Sequence, residues 1–258
     1  MVNPETCPNC QSPLTKMDQF CPSCGQKARL PRITSREIVF NIVHSFTDTR
    51  GLSHLIINLT HRPGLVARDY VTGKRSTYFP PFSFLILVVG VTSLLLGESH
   101  VISHQTNMEG VNKASFIGNF MDAHANLIIF LNVPILAFFN HLLFRKSGFN
   151  YAEHLVMTAF ISGMKSIFFS LLVMPFLYFF PEIYFKIVAC YMVCWVLYFS
   201  WANLQFTQSS GLMARLKGFL VPVLSQLGTV VLVILIMLLY FGKEAMLKNQ
   251  AVQHSTTN

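Results

Sequence analysis

The sequence is poor in charged residues. Only 12% of its 258 residues are Asp, Glu, Lys or Arg, whereas 52% are hydrophobic. A typical soluble domain carries roughly 25% charged residues, because its surface has to be hydrated. A chain with about half that charge cannot cover a water-soluble core of this size. The composition therefore excludes an ordinary soluble protein and indicates one that lies largely in a membrane.

Long apolar runs account for the hydrophobic excess. Each is close to the roughly 20 residues that a helix needs to cross ~30 Å of hydrocarbon. The runs occupy residues 80–97, 124–143, 155–178, 184–206 and 219–241. We therefore predict an all-α fold, a polytopic membrane bundle of about five transmembrane helices. We divide the chain into a zinc ribbon (1–30), interfacial amphipathic helices (31–79), a transmembrane domain (80–242) and a flexible tail (243–258).

Acidic residues are also scarce, with 11 Asp and Glu against 19 Lys and Arg. Placing the N-terminus in the cytoplasm puts fourteen basic residues inside and four outside, as the positive-inside rule requires. The first residues lack an apolar core, so we expect no cleavable signal peptide. We predict a cytoplasmic N-terminus and a C-terminus outside. The remaining positive charge favours anionic lipid head groups as partners. We do not expect nucleic acid as a partner, because the basic residues are dispersed and no binding module is visible in the sequence.

Two Cys-x-x-Cys pairs stand near the N-terminus, at Cys7, Cys10, Cys21 and Cys24. On the cytoplasmic side thiols stay reduced, and four thiolates at this spacing suit tetrahedral zinc. The rival interpretation is a pair of redox motifs, which lack a thioredoxin-like context here. Four thiolates close the coordination shell, so we predict structural Zn²⁺ rather than catalytic metal. The segment would then fold mainly through metal binding.

Three short amphipathic helices are predicted between the ribbon and the first apolar run. Thr34 and Glu37 have the spacing of a capping box, which would begin the first helix. Leu52, Leu55, Ile56 and Leu59 mark the second. Pro63 and Gly73 have the positions expected at the start and the end of the third. Basic residues among their apolar faces suit the cytoplasmic membrane interface.

The stretch RPGLVARDYVTGKRSTYFPPF (62–82), behind the CxxC…CPSCGQK ribbon, resembles a family of uncharacterised bacterial membrane proteins. NYAEHLVM (150–157) is similar to a second block of that family. The resemblance covers residues 7 to about 165. It implies an N-terminal zinc ribbon followed by several spans in a bacterial inner membrane, and it implies no activity. The residues that match its first block are Pro63, Gly64, Arg68, Tyr70, Gly73, Lys74, Arg75, Tyr78 and Pro81.

The basic block has two interpretations. Gly73-Lys74-Arg75 is not a P-loop, because neither the G-x-x-x-x-G-K pattern nor a preceding strand is present. Its cations could anchor the chain at the interface by snorkelling. Alternatively, Arg68, Lys74, Arg75 and Tyr78 could form a pocket for a lipid head group or phosphate. Glu153 and His154 are expected at the same face of the membrane, where they could pair with those cations or act in acid–base chemistry.

An ionisable residue lies inside the third run. Lys165 is costly there and is a functional candidate by default. Ser162 and Ser166 share its helix, and Asn132 and Gln226 lie at a similar depth in other runs. These polar groups could hold the helices together by hydrogen bonds, line a cavity or substrate path, or include a Ser–Lys dyad.

The remaining cysteines and histidines give weaker signals. Cys190 and Cys194 share one face of the fourth run and are interpreted as small packing residues. His100 and His104 could hold a metal with Glu98 or His124, although two His residues are a weak motif.

Two function classes follow from the sequence. The first is a non-catalytic subunit or adaptor of a membrane complex, which docks cytoplasmic proteins or other membrane proteins through its zinc ribbon. The second is a transporter or lipid-handling protein with a polar intramembrane cavity around Lys165. A membrane enzyme ranks third, because no nucleotide motif, heme motif or open metal site is visible in the sequence.

Overall fold

The computed structural model describes residues 5–30, 32–34, 51–99 and 124–256. Within these ranges, only the backbone is described at residues 96–99, 125–126, 181 and 239–256. Every regular element within these ranges is helical, and the only β-type pairings there are two isolated bridges in the N-terminal segment. This confirms the all-α prediction. The helices are α1 (Leu52–His61), α2 (Pro63–Thr72), α3 (Pro81–Ser99), α4 (Ala125–Leu143), α5 (Tyr151–Phe168), α6 (Met174–Phe179), α7 (Tyr184–Thr207) and α8 (Leu212–Thr256).

The apolar helices indicate a membrane protein. Tyr151–Phe179, Tyr184–Thr207 and Leu212–Leu238 are each long and apolar enough to cross a membrane. Pro81–Leu95 and Leu127–Leu143 are apolar but shorter. All five predicted runs are therefore helical, and three have the length of a span. Three further points stay predictions. They are that all five helices cross the membrane, the orientation in which they cross it, and the identity of that membrane.

The segment Tyr151–Phe179 is interrupted after Phe168. A π-helical turn, Phe169–Val173, joins α5 to α6. Pro175 lies at the start of α6 and has no N–H to donate to an α-helical bond. A local change in the hydrogen-bond register is a common way to accommodate such a residue.

The two short helices before the first span pack on the bundle. Helix α2 begins at Pro63 and is terminated by Gly73, as predicted, with Gly73 directly after the last helical residue at a φ of 130°. Its buried face contacts α5 and α7, and Leu55 and Leu59 of α1 are fully buried. The apolar faces that suggested membrane contact are therefore covered by protein. The helix predicted from Thr34 and Glu37 lies outside the described residues.

The core lies where α2, α3, α5 and α7 meet. Its largest fully buried side chains include Phe84, Phe160, Phe199 and Phe206. Helix α4 packs between α5 and α8. Helix α8 continues to Thr256, past residue 243, where we predicted a flexible tail. No Gly or Pro follows Gly242 to end the helix, and Ala, Leu, Lys and Gln favour its continuation.

Candidate metal centre and its contact with the membrane bundle

The four N-terminal cysteines converge on one point. Their sulfur atoms all lie within 4.8 Å of one another. The Sγ atoms of Cys7 and Cys24 are 3.7 Å apart, and those of Cys10 and Cys21 are 3.5 Å apart. All four thiols are free, and Cys7 and Cys21 are buried. Distances of this size are far beyond a disulfide bond of about 2.05 Å.

The two halves of the ribbon have the same backbone hydrogen bonds. Cys7 donates its N–H to the carbonyl of Ser12 at 2.8 Å, and Cys21 donates to that of Gln26 at 2.7 Å. In each half, the fourth residue after the leading cysteine has a positive φ. This residue is Gln11 in the first half, with a φ of 62°, and Gly25 in the second half, with a φ of 71°. Each half is therefore one turn that directs two sulfurs at the same centre. The sequence repeat TCPNCQS…FCPSCGQ carries this symmetry, and our sequence interpretation missed it.

The geometry fits a tetrahedral divalent metal. A Zn–S bond of ~2.3 Å places the sulfurs of a tetrahedral site about 3.8 Å apart, close to the separations found here. The hydroxyl of Ser12 lowers the pKa of Cys10 to about 6, whereas burial raises the pKa of Cys24 to about 11. A bound cation would favour the thiolate form at all four positions. The cluster is thus a candidate metal site, and zinc is our proposal for the metal.

A buried glutamine of the ribbon binds the loop between α2 and α3. Gln26 is buried, and its side-chain Nε2 donates to the carbonyl of Gly73 at 2.8 Å. Its Oε1 accepts from the N–H groups of Arg75 and Ser76 at 3.0 and 3.1 Å, and from the Ser76 hydroxyl at 3.2 Å. One amide side chain therefore satisfies three backbone groups of the loop between α2 and α3.

Side chains of the first cysteine turn extend this contact. The Thr77 hydroxyl donates to Oδ1 of Asn9 at 2.6 Å. A Cβ atom placed on Gly73 would lie 2.9 Å from Cβ of Pro8, so the ribbon approaches the backbone of the loop where that backbone has no side chain. Both halves of the ribbon, through Asn9 and Gln26, hold the same loop.

A second connection joins the chain after the ribbon to the start of α5. Arg32 donates from Nε and from a terminal nitrogen to the two carboxylate oxygens of Glu153, each at 2.8 Å. This ion pair raises the pKa of Arg32. Glu153 also accepts from the N–H of Asn150, whose side chain accepts from the N–H of Glu153, which forms a capping box. Asn150 further donates to the carbonyl of Ile33 at 3.1 Å.

The predicted head-group residues have partners within the protein. Arg68 donates to the carbonyl of Phe206 at 2.9 Å. Lys74 pairs with Asp69 at 3.1 Å. Tyr78 is buried, and burial, followed by the charge of Asp69, raises its pKa. Arg75 contributes its backbone N–H to Gln26. The residues of this block therefore make contacts within the bundle and with the ribbon. Binding of a head group or phosphate to them stays a prediction.

The predicted pair Glu153 and His154 separates. Glu153 faces Arg32 rather than the cations of the basic block. His154 is fully buried, and its ring lies edge-on to those of His141 and Phe206 at centroid distances of 5.4 and 5.6 Å. Glu153 and His154 therefore contact different parts of the protein, because successive residues of a helix point in different directions.

The intramembrane polar residues also occupy separate places. Asn132 donates to Ser225 at 3.2 Å and to Thr229 at 2.7 Å, which joins α4 to α8. Gln226 is exposed. Ser166 donates to the carbonyl of Ser162, inside its own helix.

Lys165 lies apart from these groups. Its ammonium is 5.0 Å from the centroid of the Trp195 ring. Within the described part of the chain, no hydrogen bond joins Lys165 to Ser162 or Ser166, so the arrangement of a Ser–Lys dyad is not formed. Cys190 and Cys194 are exposed on α7 rather than packed in the core. The pair His100 and His104 lies outside the described residues.

Comparison with known proteins bears on the loop that holds the ribbon. A family model described as "Protein of unknown function (DUF3667)" matches residues 50–92. The matched part runs through α1 and α2, includes the loop bound by Gln26 and ends within α3. No curated protein and no solved structure matches the chain. The match supports an uncharacterised domain family.

Proposed function

We propose that the protein is a non-catalytic subunit or adaptor of a complex in a bacterial inner membrane, and that its zinc ribbon docks a cytoplasmic protein. The observation that carries the proposal is that the ribbon has one attached face and one exposed face. The attached face contains Gln26 and Asn9, which bind the loop at residues 73–77. A module held in this way has a fixed orientation on the bundle.

The exposed face has the composition of a binding surface. Met17 is 91% exposed and Phe20 is 53% exposed. They line a shallow depression of about 450 Å³ together with three exposed cations, Lys16, Lys27 and Arg29, and with the polar residues Asp18 and Gln19. Three cations against one carboxylate leave this surface with a net positive charge, and its apolar anchors favour a partner with an acidic rim and an apolar centre. We define this exposed face, by Met17, Phe20 and the three cations, as the hairpin face.

Charge reversal on the hairpin face tests the proposal. We expect K16E/K27E to release a stoichiometric partner that co-purifies with the wild-type protein from its host in mild detergent. The variant should keep its metal and its thermal stability, because neither lysine binds the metal or the bundle. The matched control is R145E/K146E, which reverses two exposed charges in the turn before α5 and should retain the partner.

Two outcomes would overturn the proposal. The first is a wild-type protein that migrates alone in native electrophoresis of host membranes. The second is a K16E/K27E variant that keeps every partner but loses binding to vesicles of anionic phospholipid, which would make the hairpin face a membrane anchor instead.

A lipid-handling role is the second candidate function, and a groove beside Lys165 favours it. The groove lies between the α5–α6 segment and α7 and is largely apolar. Ser162, Ser166, Asn132 and Gln226 do not line it. The site therefore differs from the polar cavity we predicted, and its walls suit a hydrocarbon chain rather than a hydrophilic solute.

A further inference from the structure

The groove beside Lys165 has the size of a ligand site. Its volume is about 550 Å³, within the ~300–1,000 Å³ of most small-molecule pockets. Helices α5 and α7 have few direct contacts, and the π-helical turn contributes Leu172 and Val173 to the wall of the groove. Polar and aromatic residues in the lining include Lys165, Phe176, Lys186, Tyr191, Trp195 and Tyr198.

The deep end of the groove holds an uncompensated cation. Lys165 is near the middle of Tyr151–Phe179, where a charged side chain is expensive. Among the described residues no carboxylate pairs with its ammonium, which makes a cation–π contact with the Trp195 ring. A ring face at 5.0 Å offsets only part of the cost of burying the charge. An anion bound at this place would complete the site.

Both tyrosine hydroxyls in the lining of the groove are already engaged. The Tyr191 hydroxyl donates to the carbonyl of Lys165 at 2.8 Å. The Tyr198 hydroxyl donates to the carbonyl of Leu59 at 2.9 Å. The deep end therefore offers one ammonium and no free hydroxyl donor. One ammonium suits a carboxylate, which has two oxygens, better than a phosphate, which needs more donors.

A second cation marks the mouth of the groove. Lys186 is exposed and lies near the start of α7, at the end of the bundle opposite the ribbon. Aliphatic and aromatic side chains, Phe176 among them, form the walls between the two lysines. Two cations joined by an apolar path are complementary to an anion that carries a long apolar chain.

We propose that this groove binds a long-chain fatty acid, with its carboxylate on Lys165 and its chain along the apolar walls, and that Lys186 attracts the anion at the mouth. The proposal gives the second candidate function a ligand class and is independent of the adaptor role. The chain is equally soluble in the surrounding lipid, so the carboxylate–lysine pair supplies the selectivity. A neutral molecule with the same chain should therefore bind poorly.

Trp195 provides a direct readout. The chain contains two tryptophans, and Trp201→Phe leaves Trp195 as the only one. We would place this variant in nanodiscs of phosphatidylcholine and titrate bromine-labelled stearic acid, since bromine quenches indole fluorescence on contact. We expect saturable quenching that unlabelled stearic acid reverses and stearyl alcohol does not.

Substitutions at Lys165 identify the site. Lys165→Met in the same background should raise the half-saturating mole fraction of acid at least roughly tenfold, which corresponds to ~1.4 kcal/mol, and Lys165→Arg should bind within a few-fold of the parent. Lys186→Met should weaken binding less, because this lysine is at the mouth. Lys146→Met, in the exposed turn at the ribbon end, should leave quenching unchanged.

Three results would overturn the inference. One is equal reversal of quenching by stearyl alcohol, which would indicate ordinary contact with hydrocarbon. Another is quenching by bromine-labelled phosphatidylcholine that matches the acid in depth and saturation. The third is an unaltered titration of the Lys165→Met variant. If that variant fails to fold, the comparison of acid and alcohol in the parent decides alone. The adaptor proposal is unaffected by any of these results.

Discussion

The side chain of Gln26 donates to the carbonyl of Gly73 across 2.8 Å, and this bond joins the second cysteine turn to the loop between α2 and α3. The same side chain accepts from two N–H groups of that loop. The carbonyl of Gln26 accepts from Cys21. The residue therefore couples the geometry of the four-cysteine cluster to a loop that leads into the helical bundle.

Removing this side chain should release the ribbon without emptying it. For Gln26→Ala we expect hydrogen exchange in residues 73–77 to rise roughly 5–30-fold, because one or two kcal/mol of contact energy is lost. Metal content should stay unchanged. Gln19→Ala, at an exposed position of the ribbon, is the control and should exchange like the wild type. Protection equal to wild type in Gln26→Ala would show that the other contacts suffice.

The metal should be bound at one equivalent per chain by the four N-terminal cysteines. We expect Cys21→Ser with Cys24→Ser to abolish binding in elemental analysis and to raise exchange in residues 73–77 as Gln26→Ala does. The bundle should remain inserted. Cys190→Ser with Cys194→Ser removes the same number of thiols from α7 and should keep the metal. A wild-type protein prepared without chelators and free of metal would contradict the assignment.

Gly64 should tolerate no side chain. A Cβ atom there would clash with the carbonyl oxygen of Ala202, so α2 would have to move away from α7. We expect Gly64→Ala to lower thermal stability in detergent by several degrees, in line with ~1–3 kcal/mol for overpacking. Gly90→Ala meets nothing within 4 Å and should be neutral or stabilising by up to ~1 kcal/mol. Equal melting temperatures for the two variants would contradict the close approach.

Glu153 should contribute more to stability than its partner Arg32. The arginine side chain is 60% exposed and that of Glu153 is 5% exposed, so loss of the ion pair alone should cost no more than ~1 kcal/mol. Glu153 also accepts a hydrogen bond from the N–H of Asn150 in the capping box of α5, and a hydrogen bond to a charged group contributes ~1.5–3 kcal/mol. We expect Glu153→Ala to melt lower than Arg32→Ala, with the double variant close to Glu153→Ala. Strict additivity would mean that the two side chains are not coupled.

Reporter fusions test the orientation. A reporter active only in the cytoplasm should work at the N-terminus, and one active only outside should work after Lys243, as the distribution of basic residues predicts. Two ends on the same side would mean that one of the shorter apolar helices, Pro81–Leu95 or Leu127–Leu143, does not cross.

The sequence by itself determined the features that depend on local chemistry. Hydrophobic runs predict the helices, since a span must satisfy its own backbone, and the predicted starts at 80, 124 and 184 fall within one residue of the observed ones. Pro63 and Gly73 fixed both ends of α2 for the same reason, because each acts on its own backbone. The cysteine spacing likewise placed four sulfurs at one point.

The tertiary structure alone decided which polar groups meet. Gln26 and Gly73 are 47 residues apart, Arg32 and Glu153 are 121 apart, and no periodicity links either pair. The sequence of the basic block predicts a surface that binds anions. In the structure, Arg68 and Lys74 instead bind groups of the same chain. Ser162 and Lys165 share a helix, yet Ser162 is buried in the bundle and Lys165 lines the groove. Contact across helices depends on how the helices pack, and the helical repeat of one segment carries no information about its neighbours.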